Sequence, residues 1–333
     1  MAAYGLSRRQ LLRLAALLPI GAIIAACSSS TVEDDGGTGE AEEPLVSDAG
    51  ISIAVGTPRA AEPQVAIATL APTPQPFILA AGEEERLLMA GTPYETPYYV
   101  YGTGTLGPIL TVLGGVHGNE PGGWLAADRL VNQVRPASGG LLVVPRANRR
   151  ATELFERTTD EMGDLNRLYP GDRDGLPMAQ MAHEIVETLR QFHVTHLIDM
   201  HESWSFYRDR TETQTGTAFL GQTLSSRGEP GASLAAHLVG TINTTRVQAQ
   251  HEELTFREWP PSGFGAGTPA PAADATPGPG FTGYRGSRSS LGLPTHVPGL
   301  SAILVEMGQQ QDLERRIQLH VDIVQEALKV LGA

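Results

Sequence analysis

Short apolar runs that end at polar residues constrain this sequence more than any other feature. Residues 109–113 lead into a glycine-rich turn that contains His117 and Glu120, and residues 197–200 lead directly to His201. Apolar runs of this length are typical of buried strands. Because the carboxyl ends of parallel strands meet at one edge of a sheet, and sites lie at that edge, we expect these polar residues to come together.

Strand and helix patterns alternate along the chain, which predicts an α/β fold. Strands are predicted at residues 98–101, 109–113, 141–144, 196–200 and 302–305. Apolar residues at helical spacing predict helices at residues 124–134, 178–192, 233–242 and 313–331. The expected architecture is a three-layer α/β/α sandwich around a mixed, mostly parallel sheet.

The amino-terminal residues carry the pattern of an export signal. Arg8 and Arg9 precede an apolar stretch that is shorter than the roughly 20 residues needed to span a bilayer. Residues 1–26 are therefore predicted to be a signal peptide. The arginine pair indicates the twin-arginine route, although Leu11 stands where that motif prefers phenylalanine.

Cys27 is the only cysteine in the chain and follows Ile-Ala-Ala, a sequence that resembles the bacterial lipoprotein cleavage box. This predicts a lipidated Cys27 and excludes an intramolecular disulfide. The alternative is an ordinary exported protein whose cysteine falls there by chance. A lipoprotein of this kind would be extracytoplasmic and attached to the bacterial cell membrane by its lipid.

The composition predicts one large domain on a tether. Residues 27–75 are rich in Ser, Thr, Gly, Pro, Ala and acidic residues, which predicts a disordered tether, and residues 76–333 are long enough for a substantial core. A Pro/Gly-rich stretch at about 260–280 is predicted to be a surface insertion, with a flap near the site as the alternative. The net charge of −13 does not suit nucleic acid or anionic lipid, so membrane contact is expected only through the lipid anchor.

His117, Glu120 and His201 form a candidate set of metal ligands. Two histidines and one carboxylate, with an open fourth position, are the ligands of hydrolytic zinc sites. The glycines around His117 would let the backbone approach an ion closely. Taken alone, His-x-x-Glu is a weak pattern, and a core histidine beside a surface glutamate is the alternative.

Four motifs in one order add weight to this pattern. They are His117-Gly-Asn-Glu, Asp164-Leu-Asn-Arg-Leu-Tyr-Pro-Gly, Asp199-Met-His and a late Glu306. Over roughly residues 95–330, the set resembles the zinc carboxypeptidase superfamily, in the branch of succinylglutamate desuccinylase and aspartoacylase. The resemblance implies one zinc ion bound by the three candidate ligands. It also implies that Glu306 is the general base, with a helix-capping or salt-bridged carboxylate as the alternative.

The resemblance implies roles for three residues of the second motif. Asp164 would accept the other ring proton of His117 and so orient it. Asn166 and Arg167 would bind a carboxylate or polar group of the substrate, since the planar guanidinium suits a carboxylate. A surface salt bridge is the alternative for Arg167.

Other residues are assigned less directly. Arg157 best fits the position of an arginine that stabilises the oxyanion in this superfamily, and Arg149 and Arg150 compete for that role. Tyr284 lies where carboxypeptidases carry a mobile tyrosine, but the nearby insertion makes that alignment unsafe. Glu202 is expected to point away from the ligands if the strand continues past His201.

The expected function is hydrolysis of an amide bond in a small-molecule or peptide substrate that bears a carboxylate. An N-acyl amino acid substrate would make the protein a deacylase, and a peptide substrate would make it a carboxypeptidase. A lipoprotein that binds a ligand without catalysis, through a degenerate site, is the alternative from another functional class. The presence of all three ligands and Glu306 argues against that alternative.

Overall fold

The computed structural model describes residues 76–211, 217–247, 255–258 and 288–333. The predicted signal peptide, Cys27, the tether, the Pro/Gly-rich insertion and Tyr284 lie outside these residues. No helix in the described part of the chain is long and apolar enough to cross a membrane.

Eight strands and five α-helices make up the regular structure of the described residues. The strands are β1 (Gly82–Leu88), β2 (Thr96–Gly102), β3 (Ile109–Leu113), β4 (Gly140–Val144), β5 (His196–Ser203), β6 (Thr223–Ser226), β7 (Arg257–Glu258) and β8 (Ser301–Gly308). The helices are α1 (Pro121–Gln133), α2 (Arg149–Leu154), α3 (Pro177–Gln191), α4 (Gly231–Thr245) and α5 (Leu313–Leu331).

All eight strands form one mixed sheet in the order β1-β2-β4-β3-β5-β8-β6-β7. The central strands β4, β3, β5 and β8 are parallel to one another, and β6 is parallel to β7. The pairs β1–β2, β2–β4 and β8–β6 are antiparallel. The carboxyl ends of β3, β5 and β8 therefore lie side by side, as expected from the predicted, mostly parallel sheet.

Helices cover both faces of the sheet, so the three-layer prediction is confirmed. Alternate residues of a strand point to opposite faces, and β3 illustrates this because Leu113 packs in one core cluster and Val112 in the other. The face of Leu113 is covered by α3, while α1, α4 and α5 cover the face of Val112. Both β3 and β4 are buried along their whole length, which is typical of central parallel strands.

The strands and helices predicted from periodicity are all present, but four further elements were not predicted. Strand β1 is an edge strand with mostly exposed residues, and its acidic sequence shows no apolar alternation. Strands β6 and β7 are short and lie at the other edge of the sheet. Helix α2 has only six residues, too few for a periodic pattern, and its first turn is capped by the side chain of Asn148.

Candidate active site

Two of the candidate ligands lie in the loop that joins β3 to α1. Gly115 has a φ of +65°, a conformation that glycine adopts without strain. A Cβ atom at Gly118 would clash with the backbone of Ala151 in α2, so the loop lies directly against that helix. His117 follows this turn, and Glu120 is the N-cap residue of α1. The glycines thus hold the loop close to the end of the sheet.

The structure brings His117, Glu120 and His201 into one buried cluster. Nδ1 of His117 lies 2.7 Å from Oε1 of Glu120, and Nδ1 of His201 lies 2.9 Å from Oε2 of the same carboxylate. The two Nδ1 atoms are 3.1 Å apart. Each residue offers one ligand atom, and these atoms all lie within 4.8 Å of one another.

An aspartate holds the far nitrogen of each imidazole ring. Nε2 of His117 lies 3.1 Å from Oδ1 of Asp164, and Nε2 of His201 lies 2.9 Å from Oδ2 of Asp199. When each ring is neutral, these contacts place its proton on Nε2 and leave a lone pair on Nδ1. Two lone pairs and a carboxylate then face one another, an arrangement that a positive charge between them, from a bound cation or a proton on one Nδ1, stabilises.

The residues present fit a divalent metal ion. In a tetrahedral zinc site, ligand distances of about 2.0–2.1 Å imply ligand atoms roughly 3.3 Å apart, close to the spacing of this cluster. The carboxylates around His201 also favour a positive charge at this position. Burial opposes the charged ring of His201, yet Asp199 and Glu120 raise its pKa well above the ordinary value. The cluster thus favours positive charge at its centre, which is what a bound cation provides.

Glu306 lies beside the cluster because of the strand register. It is paired with His201 across the parallel strands β5 and β8, so both side chains point to the same face. Oε2 of Glu306 lies 2.8 Å from Oγ of Ser203, and the residue is 7% exposed. Burial raises the pKa of Glu306 to about 7, and the negative charge of Glu120 adds to that effect. A carboxyl group with such a pKa is suited to proton transfer near neutral pH.

Of the three candidate arginines, Arg157 is the one that the structure brings to the cluster. Its Nη2 donates to Oδ2 of Asp164 at 3.1 Å, and its Nη1 donates to Oε1 of Glu120 at 3.4 Å. The side chain is 38% exposed, so it contacts both the buried Glu120 carboxylate and the solvent. Arg149 and Arg150 instead bind Glu153 on the exposed surface of α2.

Asn166 and Arg167 lie beside the cluster in a short 3₁₀ turn. Nδ2 of Asn166 is 3.3 Å from Nε2 of His201, and its Oδ1 accepts a hydrogen bond from the backbone of Ser290. Protein groups therefore contact both ends of the Asn166 amide. Arg167 is partly exposed and, with His117 and Arg157, helps to hold the pKa of Asp164 below its ordinary value, against the effect of burial.

Asp199 contacts His201 and Ser203 contacts Glu306, and neither residue was expected from the sequence to have a role in the site. Both lie two residues from His201 on the same strand, so they share its face of the sheet. The period of two along β5 was the signal that could have identified them. Glu202 points to the opposite face, where its carboxylate binds Arg316.

A separate cavity of about 500 Å³ lies at the amino ends of the central strands, opposite to the ends that carry the candidate ligands. It is lined in part by Ile109 at the start of β3 and by Thr195 just before β5. None of the candidate site residues lines it, so it does not compete with the cluster for the chemistry described above.

Comparison with known proteins agrees with the motifs. Residues 106–206 match the model of the succinylglutamate desuccinylase/aspartoacylase catalytic domain. The N-alpha-acetyl-L-2,4-diaminobutyric acid deacetylase of Halomonas elongata is 34% identical over 86 residues, which are 25% of each chain. The predicted resemblance to this branch of the zinc carboxypeptidase-like superfamily is confirmed.

Solved structures show the same fold. The product-bound cell shape determinant protein Csd4 of Helicobacter pylori has a TM-score of 0.53 and 16% identity over 68% of this chain. The mDAP-bound form of Csd4, a D,L-carboxypeptidase, has a TM-score of 0.53 and 18% identity over the same share. The match spans about half of Csd4 (51%) and a quarter of the deacetylase (25%). Glu306 lies beyond residues 106–206, so its place in the site depends on the β5–β8 register.

Proposed function

We propose that this chain, which carries a catalytic domain of the succinylglutamate desuccinylase/aspartoacylase type, is a zinc-dependent hydrolase of amide bonds. The observation that supports the proposal is the convergence of His117, Glu120 and His201 beside the carboxyl group of Glu306. This combination provides a cation site and a proton acceptor at the same edge of the sheet. A core histidine beside a surface glutamate does not explain it, because all four side chains are buried.

The three ligands would hold the zinc ion through Nδ1 of each histidine and the Glu120 carboxylate. When bound, such an ion polarises an amide carbonyl and lowers the pKa of water. Asp164 and Asp199 keep the two rings in the orientation that this role needs. Their carboxylates also stabilise the positive charge of the cluster.

Glu306 would take the proton of the attacking water and pass it to the leaving amine. Its Oε2 is held by Ser203, while Oε1 has no hydrogen bond within the described part of the chain. Oε1 is therefore the atom that we assign to proton transfer. The raised pKa of about 7 suits both halves of this task, because the group can accept and then release a proton near neutral pH.

Arg157 would stabilise the negative charge that develops on the carbonyl oxygen. Its guanidinium already lies against two carboxylates of the cluster and remains partly exposed to a substrate. Arg167 is close enough to Asp164 to lower its pKa, and it would bind a carboxylate of the substrate, with Asn166 beside it. Two partly exposed guanidinium groups beside the cluster favour an anionic substrate.

Two substrate classes fit this site. Similarity to a deacetylase favours an N-acyl amino acid, while the predicted extracytoplasmic location favours a peptide or a scavenged acyl amino acid. The test is a panel of N-acyl amino acids and carboxyl-terminal peptides assayed with the zinc-loaded protein. Turnover of peptides alone would reject the deacylase assignment, and turnover of acyl amino acids alone would reject the carboxypeptidase assignment.

The alternative function is ligand binding by a lipoprotein whose metal site no longer catalyses. Metal analysis of the purified protein separates the two functions, because the hydrolase is expected to hold near-stoichiometric zinc. Absence of zinc after purification in metal-replete medium would favour the binding protein. In either case, we propose that the mature chain is anchored to the outer surface of the cell membrane by a lipid on Cys27.

A further inference from the structure

Glu202 is a buried carboxylate on the face of β5 opposite to His201. Its Oε2 accepts a hydrogen bond from Nη1 of Arg316, in α5, at 2.7 Å. The same oxygen accepts the backbone N–H of Gly122, in the first turn of α1, at 3.0 Å. Glu202 is 5% exposed and Arg316 is 8% exposed, so this ion pair lies inside the protein, on the face of β5 opposite to the candidate ligand His201.

Glu202 also touches the candidate ligand Glu120. Its backbone N–H donates to Oε2 of Glu120 at 3.0 Å. Because Glu120 is the N-cap residue of α1, the hydrogen bond to Gly122 fixes the same turn of backbone two residues later. One residue thus holds both the carboxylate of the ligand and the chain that carries it.

Two glycines in the first turn of α1 allow the helix to approach Glu202 and β5 this closely. A Cβ atom at Gly122 would clash with Oε1 of Glu202, and one at Gly123 would clash with the carbonyl oxygen of Met200. The first turn of α1 therefore lies directly on the backbone of β5. The N–H groups of a first helical turn have no partner within the helix, and a carboxylate there is stabilised by the helix dipole.

Stability alone is a poor explanation for this ion pair. A buried ion pair contributes little net stability, since apolar residues of similar volume often replace it without loss. The pair is also incompletely hydrogen-bonded, because Oε1 of Glu202 and Nε of Arg316 have no partner among the described residues. Besides Arg316 and a longer contact from Nε2 of Gln309 at 3.5 Å, the hydrogen bonds of Glu202 described above connect it to α1 and to Glu120.

We infer that Glu202, neutralised by Arg316, is a positioning residue that holds Glu120 in place as a metal ligand. The inference rests on the proposed function, because it requires a divalent ion at the cluster. Glu202 does not contact the ion or the substrate. Its effect is to reduce the freedom of the Glu120 carboxylate before the metal binds, which increases metal affinity.

The test is the dissociation constant for Zn²⁺, measured by competition with a chromogenic chelator, in wild type and Glu202→Gln. Glutamine removes the negative charge that pairs with Arg316, and its neutral amide oxygen is a weaker acceptor than the carboxylate oxygen that now serves both Arg316 and the Gly122 N–H. Loss of a group that orients a metal ligand typically weakens metal binding roughly 10–100-fold. We expect a change of that size in Glu202→Gln.

The matched control is Glu314→Gln. Glu314 accepts a hydrogen bond from Arg129 at 2.8 Å and so forms another ion pair between α1 and α5, on the exposed surface. We expect this variant to bind Zn²⁺ with wild-type affinity. Unfolding midpoints of the metal-free proteins are measured in parallel. A Glu202→Gln variant with a lower midpoint but wild-type Zn²⁺ affinity would overturn the inference.

A double variant covers the case in which Glu202→Gln does not fold because Arg316 is left as an unpaired buried charge. Glu202→Leu with Arg316→Met replaces the ion pair by apolar residues, a change that proteins often tolerate. It still removes the acceptor of the Gly122 N–H, so Zn²⁺ binding should again weaken. Wild-type affinity in the folded double variant would reject the positioning role.

The visible absorption spectrum of the Co²⁺-loaded proteins provides a second readout. Displacement of the Glu120 carboxylate should change the Co²⁺ spectrum in both Glu202 variants and leave it unchanged in Glu314→Gln. The wild type distinguishes the two proposals. If it binds neither Zn²⁺ nor Co²⁺, the proposed function fails, whereas wild-type binding with unchanged Glu202 variants rejects only the positioning role.

Discussion

Replacing Glu306 with glutamine tests the proposed mechanism most directly. Glutamine keeps the length of the side chain and an oxygen that can accept a hydrogen bond from Ser203, but it cannot take a proton from water. General-base catalysis contributes about 10²–10⁴-fold to a rate, or about 2.7–5.5 kcal/mol. We expect kcat to fall within that range. Because Glu306 is not an assigned ligand, the zinc content should stay at the wild-type level.

The pH dependence of the wild type provides a second signature of the same group. Burial raises the pKa of Glu306 to about 7, and a general base acts only when deprotonated. The value of kcat/KM should therefore rise as the pH increases through the pKa that this carboxyl group has in the metal-loaded protein. A bound divalent cation favours the charged carboxylate and moves this rise to lower pH. The residual activity of Glu306→Gln should lack the rise.

The assay measures release of the free amine from the best substrate, with zinc content determined on the same samples. Glu314→Gln is the matched control, since it makes the same chemical change on the exposed surface. A Glu306→Gln variant with wild-type zinc content and wild-type kcat would refute the assignment of the base. A variant that loses zinc would instead indicate that Glu306 helps to hold the ion.

Four further predictions concern other parts of the molecule. Asp199→Asn should weaken Zn²⁺ binding roughly 10–100-fold in a chelator competition, because it removes the carboxylate that orients His201; unchanged affinity would contradict that role. Arg157→Lys should lower kcat by about 10²–10³-fold at wild-type zinc content if the guanidinium stabilises the oxyanion, and a change in KM alone would indicate ground-state binding instead. Removal of metal by a chelator should lower the unfolding midpoint measured by calorimetry, and Zn²⁺ at 100 times its dissociation constant should restore about 2.7 kcal/mol of stability. Cys27→Ser should abolish incorporation of a fatty-acid label in cells and release the protein from the membrane fraction, and retention of the label would exclude lipidation at this residue.

The central part of the fold could be predicted from sequence because its physical signals are local. The run at Ile109–Leu113 is buried along its length, and the apolar spacing of residues 178–192 matches α3 within a residue at each end. Strand β1 gave no such signal. It is an edge strand whose acidic side chains face solvent, and pairing with β2, not burial, determines its conformation.

The candidate site could be predicted only in part. The order of the motifs pointed to His117, Glu120, His201 and Glu306, and the structure places these residues together. Contacts between residues that are distant in the sequence could not be predicted from the sequence. The Arg316–Glu202 ion pair joins α5 to β5 across 114 residues, and no spacing rule connects such positions. The resemblance favoured Arg157 over Arg149 and Arg150, but only the fold shows that Arg157 is the one that contacts the cluster.

The pairing of His201 with Glu306 across two strands also bears on how such a protein can diversify. The proposed base and the candidate ligand are aligned by hydrogen bonds between β5 and β8, not by the length of the chain that joins them. An insertion in that connection costs little, since each doubling of a flexible loop adds only about 0.6 kcal/mol of closure entropy. Evolution can therefore lengthen or replace the intervening chain, and with it the surroundings of the candidate site, while His201 and Glu306 stay in register.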